Sequence, residues 1–121
     1  MSISITRVAG ALGADIGDVD LSDDLNDDTI ADIRRALLDH KVIFFRDQSI
    51  TPLQHLAFAK RFGEVVEYPM VKGLDEAPEI VPVVKLAHET INFGGMWHTD
   101  TSYLECPPMG AILVARELPP C

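Results

Sequence analysis

A histidine and an aspartate one residue apart, His98 and Asp100, are the residues whose types and spacing could do chemistry. In an extended backbone the side chains of residues i and i+2 point to the same side, so an imidazole nitrogen and a carboxylate oxygen can reach one small object. Both atoms are ligands for divalent transition metals, and a second histidine would complete a two-histidine, one-carboxylate set with open positions on an octahedral ion. We therefore interpret His98 and Asp100 as candidate metal ligands.

The residues around the pair strengthen this interpretation. Trp97 and Tyr103 offer bulky walls, and Gly94 and Gly95 allow the backbone to approach closely. A histidine–X–aspartate pair also arises by chance, so on the residues alone a surface histidine beside a loop aspartate stays an alternative.

Two helices and a short strand precede this segment. Apolar residues at i, i+3, i+7 and i+8 predict an amphipathic helix over 28–40; they are Ile30, Ile33, Leu37 and Leu38. The apolar run over 42–45 predicts a buried strand. A second helix is predicted after Thr51, with a capping box completed by Gln54 and with Gly63 closing the last turn.

The remaining strands are predicted at the two ends of the chain. Alternation over 3–8 predicts a first strand, and apolar runs over 80–86 and 111–116 predict later ones. The glycines between 10 and 17 indicate turns, and they do not match the dinucleotide-binding fingerprint. The length and this order of elements predict one α+β domain over 1–121.

Charge and composition exclude several classes of function. The chain has 19 acidic against 10 basic residues and a net charge of −9, which argues against a nucleic-acid partner. The acidic stretch over 15–32 is interpreted as a solvated loop and helix start. No apolar run approaches about 18 residues, and the start lacks the order of a signal peptide, so we expect no membrane segment and a cytoplasmic location.

Four segments together resemble one known family. The segment WHTDTSYLECPPMGAILVARELPP is similar to the metal-binding segment of the TauD/TfdA family of Fe(II)- and α-ketoglutarate-dependent dioxygenases. The stretches GALGADIGDVDLSDDL, HKVIFFRDQ and TPLQHLAFAKRFGEV match the amino-terminal region of that family in the same order. The resemblance therefore covers nearly the whole chain.

The resemblance implies a fold and a cofactor. The fold is a double-stranded β-helix (a jelly roll, cupin-like) with flanking helices, of which this chain would hold the amino-terminal portion. His98 and Asp100 would be two of three Fe(II) ligands. The third ligand, a histidine, and the arginine that binds α-ketoglutarate, the co-substrate, would lie downstream of Cys121, so we expect residues 1–121 alone to be inactive and poorly stable.

The resemblance implies a small organic substrate, for which a sulfonate or a related acid is one candidate, and it implies dioxygen as the second partner. The taurine enzyme uses a histidine–proline pair followed by a tyrosine, whereas this chain has Tyr68, Pro69 and Val71 there, and Gly94 replaces an asparagine. These changes remove hydrogen-bond donors for an anionic head group and disfavour taurine itself. Tyr68 and Thr101 are the candidate substrate-binding residues, and sulfonates, sulfate esters, aryloxy acids and small carboxylates are the open classes.

Two alternatives from other classes stay open. One is a non-catalytic binding or interaction module with a degenerate site. The other is a different cupin-like metal-binding protein that uses His98 and Asp100 with zinc or manganese. An unclosed sheet edge would favour self-association, so a homo-oligomer is a further expectation.

Overall fold

A computed structural model describes residues 2–120, which divide into two units between Phe62 and Gly63. Within the described residues, every helix and strand belongs to the first unit. The elements are β1 (Ser4–Arg7), β2 (Ala14–Gly17), α1 (Asp27–His40), β3 (Ile43–Phe44) and α2 (Pro52–Lys60). The strands form one sheet in the order β1-β2-β3. Strand β1 is antiparallel to β2, and β3 is parallel to it, so α1 is the crossover between the two parallel strands.

The central strand β2 was not predicted from the sequence. Its residues lie in the glycine-containing stretch for which turns were expected, and this prediction is wrong for 14–17. The strand forms because it has a partner on each side: Ile16 lies opposite Ile5 of β1, and Ala14 lies opposite Ile43 of β3. Ala14 and Ile16 are buried, whereas all four residues of β1 are exposed.

Helix α1 confirms the predicted helix to within one residue. Its N-cap is Asn26, whose side-chain oxygen accepts a hydrogen bond from the Thr29 N–H at 2.8 Å. The helix ends at His40, where Lys41 takes a φ of 68° and its N–H donates to the Leu37 carbonyl. The inward face is made by Ile30, Ile33 and Ala36. Leu38, which was predicted for this face, is exposed, because the packed stripe continues through Ala36 instead.

Helix α2 begins with the predicted capping box. The Gln54 N–H donates to Thr51 Oγ1 at 3.2 Å, and the Thr51 N–H donates to Gln54 Oε1 at 2.9 Å. The helix ends at Lys60, and the C-cap Arg61 has a right-handed conformation. The prediction that Gly63 closes the last turn is therefore wrong.

Aromatic packing holds α2 against the rest of the first unit. The ring of Phe58 is buried and meets the rings of Phe45 and Phe62 edge-on, with centroid distances of 5.8 and 5.1 Å. The strand predicted as buried over 42–45 is shorter than expected, and its Phe44 is exposed, with the Arg46 guanidinium 5.2 Å from the ring centroid. The buried aromatic ring of this region is therefore that of Phe58 on α2, and not that of Phe44 on β3.

Two polar side chains tie the loops of this unit together. Gln48 Oε1 accepts a hydrogen bond from the Leu21 N–H at 2.8 Å, and Gln48 Nε2 donates to the carbonyls of Val19 and Arg46, each at 3.1 Å. Arg61 donates to the Leu25 carbonyl at 2.6 Å and also pairs with acidic side chains at the start of α1. These bonds fix the acidic loop before α1 against the segment that follows β3 and against the end of α2.

The second unit, over residues 63–120 of the described chain, contains turns and no helix or strand. The predictions of strands at Ile80–Leu86 and Ala111–Arg116 are therefore wrong for this structure. A strand requires a neighbouring strand for its backbone groups, and within the described residues no strand pairs with either run. Their apolar side chains are largely exposed, including those of Val84 and Leu113.

The described residues thus combine α and β elements in a small mixed sheet with two helices. The double-stranded β-helix stays a prediction, and so does the single-domain boundary at 1–121. No helix within residues 2–120 is long and apolar enough to cross a membrane.

Candidate metal centre

The structure brings the side chains of His98 and Asp100 together. His98 Nε2 and Asp100 Oδ1 are 3.2 Å apart. Two donor atoms bound to one ion at about 2.1 Å and at a right angle to each other lie about 3 Å apart. The observed separation therefore suits two neighbouring ligands of one metal ion.

A backbone hydrogen bond sets which imidazole nitrogen is available. His98 Nδ1 lies 2.7 Å from the carbonyl oxygen of Met96. A carbonyl oxygen can only accept, so Nδ1 carries the proton and donates it. In the neutral ring the lone pair is then on Nε2, which is the atom that faces Asp100. Two lone pairs facing each other require a cation between them: a proton on Nε2, donated to Asp100, meets that requirement, and so would a metal ion.

No strand of the described residues includes the pair, and a turn over 101–104 follows it. The N–H of Leu104 donates to the carbonyl of Thr101 at 3.2 Å, and Thr101 has a φ of 44°. The hydroxyl oxygens of Thr99 and Ser102 are 2.6 Å apart. These contacts hold the backbone on both sides of Asp100, so the aspartate is positioned by a turn that follows the histidine.

Both candidate ligands are open to solvent. The side chains are 54% exposed for His98 and 73% exposed for Asp100. Trp97, which was expected to pack beside the site, is fully exposed, so it builds no wall there in this structure. Among residues 2–120, no group of three or more His, Cys, Asp or Glu side chains could hold a metal ion. The donors present therefore fit as two members of a larger ligand set.

The candidate substrate-binding residues take different places. Thr101 belongs to the turn that follows Asp100, and it is half-buried. Tyr68 is also half-buried, thirty positions before the histidine. Two open cavities, of about 260 and 240 Å³, are both lined by residues of the first unit. The roles of Tyr68 and Thr101 in a substrate pocket stay predictions.

Sequence reasoning missed the groups that orient His98. The Met96 group is a backbone carbonyl, which every residue type possesses, so no sequence signal could have singled it out. The sequence predicted that another group could come close to the backbone at Gly94. In the structure this group is the imidazole of His98, which lies directly against Gly94.

Comparison with a family model gives a match over almost the whole chain. The model described as "Taurine catabolism dioxygenase TauD, TfdA family" matches residues 4–121. This range includes both units and the His98–Asp100 pair.

Individual relatives agree with that match. An α-ketoglutarate-dependent sulfate ester dioxygenase from Pseudomonas putida is 36% identical over 114 residues, which are 93% of this chain and 37% of the relative. An alkylsulfatase from Acinetobacter baylyi is 32% identical over 123 residues, which are 97% of this chain and 36% of the relative. The chain thus spans a little over a third of the length of these curated relatives.

A solved structure extends the comparison to the fold. A taurine dioxygenase from Burkholderia xenovorans superimposes with a TM-score of 0.60 and 38% identity, covering 64% of this chain and 28% of that chain. The small sheet and helices described above are therefore similar to part of a dioxygenase of known structure.

Proposed function

Because the chain belongs to the TauD, TfdA family, we propose that its His98–Asp100 pair supplies two ligands to the Fe(II) of an α-ketoglutarate-dependent dioxygenase. The observation that supports this most directly is the 3.2 Å separation of Nε2 and Oδ1, with Nδ1 engaged by the Met96 carbonyl. A neutral imidazole with its lone pair on Nε2, beside a carboxylate, is the donor chemistry that Fe(II) sites of this kind use.

The residues of the pair have separate roles in this proposal. When bound, Fe(II) with α-ketoglutarate supplies the activation of dioxygen and the oxidative decarboxylation of the co-substrate. The carboxylate of Asp100 contributes a negative charge to the site. The imidazole of His98 contributes a neutral donor whose orientation is fixed by its bond to the backbone. The turn over 101–104 and the contact between the Thr99 and Ser102 hydroxyls hold the backbone on either side of Asp100.

The proposal includes a fold and further groups that complete the site. We propose that the protein forms a double-stranded β-helix with flanking helices. A second histidine and an α-ketoglutarate-binding arginine, expected downstream of Cys121, would complete the binding of metal and co-substrate. These groups would also remove water from a pair that is open to solvent in the described residues.

For the substrate we propose a small organic acid of the sulfate ester class. The two relatives reported above are named for sulfate esters, and each matches more than nine tenths of this chain. Taurine is disfavoured because Tyr68 and Gly94 stand where the taurine enzyme has a histidine and an asparagine. Tyr68 and Thr101 remain the residues that we propose to line the pocket.

The test is turnover by the complete protein that contains this chain. The protein is stripped of metal and reconstituted without oxygen with Fe(II) and α-ketoglutarate, and succinate is measured after addition of air and an alkyl sulfate. We expect succinate formation that the alkyl sulfate stimulates, together with release of sulfate. The variants His98→Ala and Asp100→Ala should reduce the rate by at least 100-fold, because each removes a metal ligand.

The matched control is His88→Ala, which removes an exposed histidine of the same unit. It should leave the rate unchanged. Succinate formation that survives loss of His98 would contradict the ligand assignment. Tight binding of zinc without any α-ketoglutarate-dependent turnover would favour the alternative of another metal-binding protein, and no metal binding at all would favour a non-catalytic module.

A further inference from the structure

Gly94 lies against the edge of the His98 ring that carries the candidate donor atom. A Cβ built on Gly94 would be 3.2 Å from His98 Cε1 and 3.7 Å from His98 Nε2. The first distance is tighter than real Cβ contacts normally allow, so the ring would have to move by a few tenths of an ångström. The edge that would move is the one that faces Asp100.

The backbone at Gly94 is also one that side chains rarely adopt. Its φ is +70°, and the N–H of Gly95 donates to the carbonyl of Asn92 at 3.1 Å. Gly94 is therefore the third residue of a four-residue turn, a position that requires positive φ in type II turns and favours Gly or Asn. The turn places the Cα of Gly94 directly beside the imidazole.

We propose that Gly94 is a positioning residue for the metal site, because its missing side chain lets the His98 imidazole rest with Nε2 directed at Asp100. The Met96 carbonyl holds one side of the ring through Nδ1, and Gly94 sets the place of the opposite edge. The proposal rests on the proposed function, since it concerns the same pair of ligands. It adds a specific requirement at a position that contributes no donor atom.

Two substitutions separate the ring contact from backbone strain. Gly94→Ala introduces both the Cβ contact and a strained φ. Gly94→Asn introduces the same Cβ, but Asn adopts positive φ several-fold more readily than most residues. A loss caused by the contact should appear in both variants, whereas a loss caused by strain should be largely absent from the Asn variant. Gly110→Ala is the matched control, because a Cβ there meets nothing within 4 Å.

The experiment measures Mn(II) binding to the complete, metal-free protein by calorimetric titration. It also records the visible absorption of the Co(II)-loaded protein and the thermal midpoint of each variant. We expect both Gly94 variants to bind Mn(II) at least about tenfold more weakly than the wild type, as is common for residues that orient metal ligands. The Co(II) spectrum should change in both, and Gly110→Ala should match the wild type in all three measurements.

Wild-type affinity and spectrum in Gly94→Asn would overturn the proposal, even if Gly94→Ala misfolds. Weaker binding by Gly94→Asn at an unchanged thermal midpoint would support it. His98→Ala serves as the reference. If this variant binds Mn(II) as tightly as the wild type, both the proposed function and the positioning role of Gly94 are refuted. If His98→Ala loses binding while Gly94→Asn does not, only the positioning role is refuted.

Discussion

The amide of Gln48 should contribute more to the stability of the first unit than any other single exposed or half-buried side-chain amide there. It makes three hydrogen bonds to backbone groups on two separate segments, and one of its partners, the N–H of Leu21, belongs to a buried residue. A typical net contribution is about 0.5–1.5 kcal/mol for each bond, and a buried donor left unpaired costs about 1–3 kcal/mol. We therefore expect Gln48→Ala to lower the free energy of unfolding by about 2–3 kcal/mol.

The assay is urea denaturation followed by far-ultraviolet circular dichroism. Both helices of the described residues belong to the first unit, so the helical signal reports on the unit in which Gln48 lies. Gln54→Ala is the matched control, because Gln54 Oε1 accepts one exposed capping bond; it should cost about 0.5–1 kcal/mol. Gln48→Glu keeps an acceptor for Leu21 but removes both donor bonds, and its stability should lie below that of the wild type.

Equal losses for Gln48→Ala and Gln54→Ala, within about 0.5 kcal/mol, would refute this reasoning. That result would mean that water replaces the amide of Gln48 without cost. An unchanged stability in Gln48→Glu would likewise show that the bonds to the carbonyls of Val19 and Arg46 contribute nothing.

Three further predictions concern the same unit. Ile33 is the largest fully buried side chain, so Ile33→Ala should lower the free energy of unfolding in urea by about 2–5 kcal/mol and Ile33→Val by about 0.5–1.5 kcal/mol; equal losses would contradict tight packing. Asn26→Ala removes the N-cap of α1 and should cost about 1 kcal/mol in the same assay, while Asn26→Asp should cost little, because Asp caps equally well. Hydrogen bonds from the Ser22 hydroxyl and then from the Ser22 N–H lower the pKa of the Asp20 carboxyl, so this interaction stabilises the folded state above the ordinary carboxyl pKa and is lost as the pH falls through the folded value. Ser22→Ala should raise the pKa of Asp20 toward its ordinary value in a pH titration followed by carboxyl NMR, and an unchanged titration would show that the hydroxyl has no influence.

The helices could be predicted because their signals are local. The stripe through Ile30 and Ile33 and the capping box of Thr51 and Gln54 depend only on residues within a few positions of one another. The ends were less certain, since Gly63 carries the usual sequence signal for a helix end and yet α2 stops before it.

The strands could not be predicted to the same degree, because a strand depends on partners elsewhere in the chain. Strand β2 contains Asp15 and a terminal glycine, which are poor strand formers, and it exists because β1 and β3 pair with it. The run at 80–86 shows the reverse. It has strand-forming residues, but among the described residues no neighbouring strand pairs with it.

In the candidate site, too, the features that depend on residue type and spacing could be predicted, and those that depend on backbone geometry could not. The types and spacing of His98 and Asp100 indicated a shared metal ion, and the structure brings their side chains to 3.2 Å. The bond from His98 Nδ1 to the Met96 carbonyl and the contact with Gly94 depend on backbone geometry, which the residue types do not encode.

The outer strand β1 is exposed, but its backbone covers one edge of the central strand β2. Its four residues are all exposed, yet its backbone pairs along the whole of β2. A shortened chain that began at Gly13 would keep Ala14 and Ile16 but present their strand as a bare edge, and bare edges recruit strands from other molecules. The first dozen residues therefore cover this edge of β2, and amino-terminal trimming should be avoided when the protein is prepared for crystallisation.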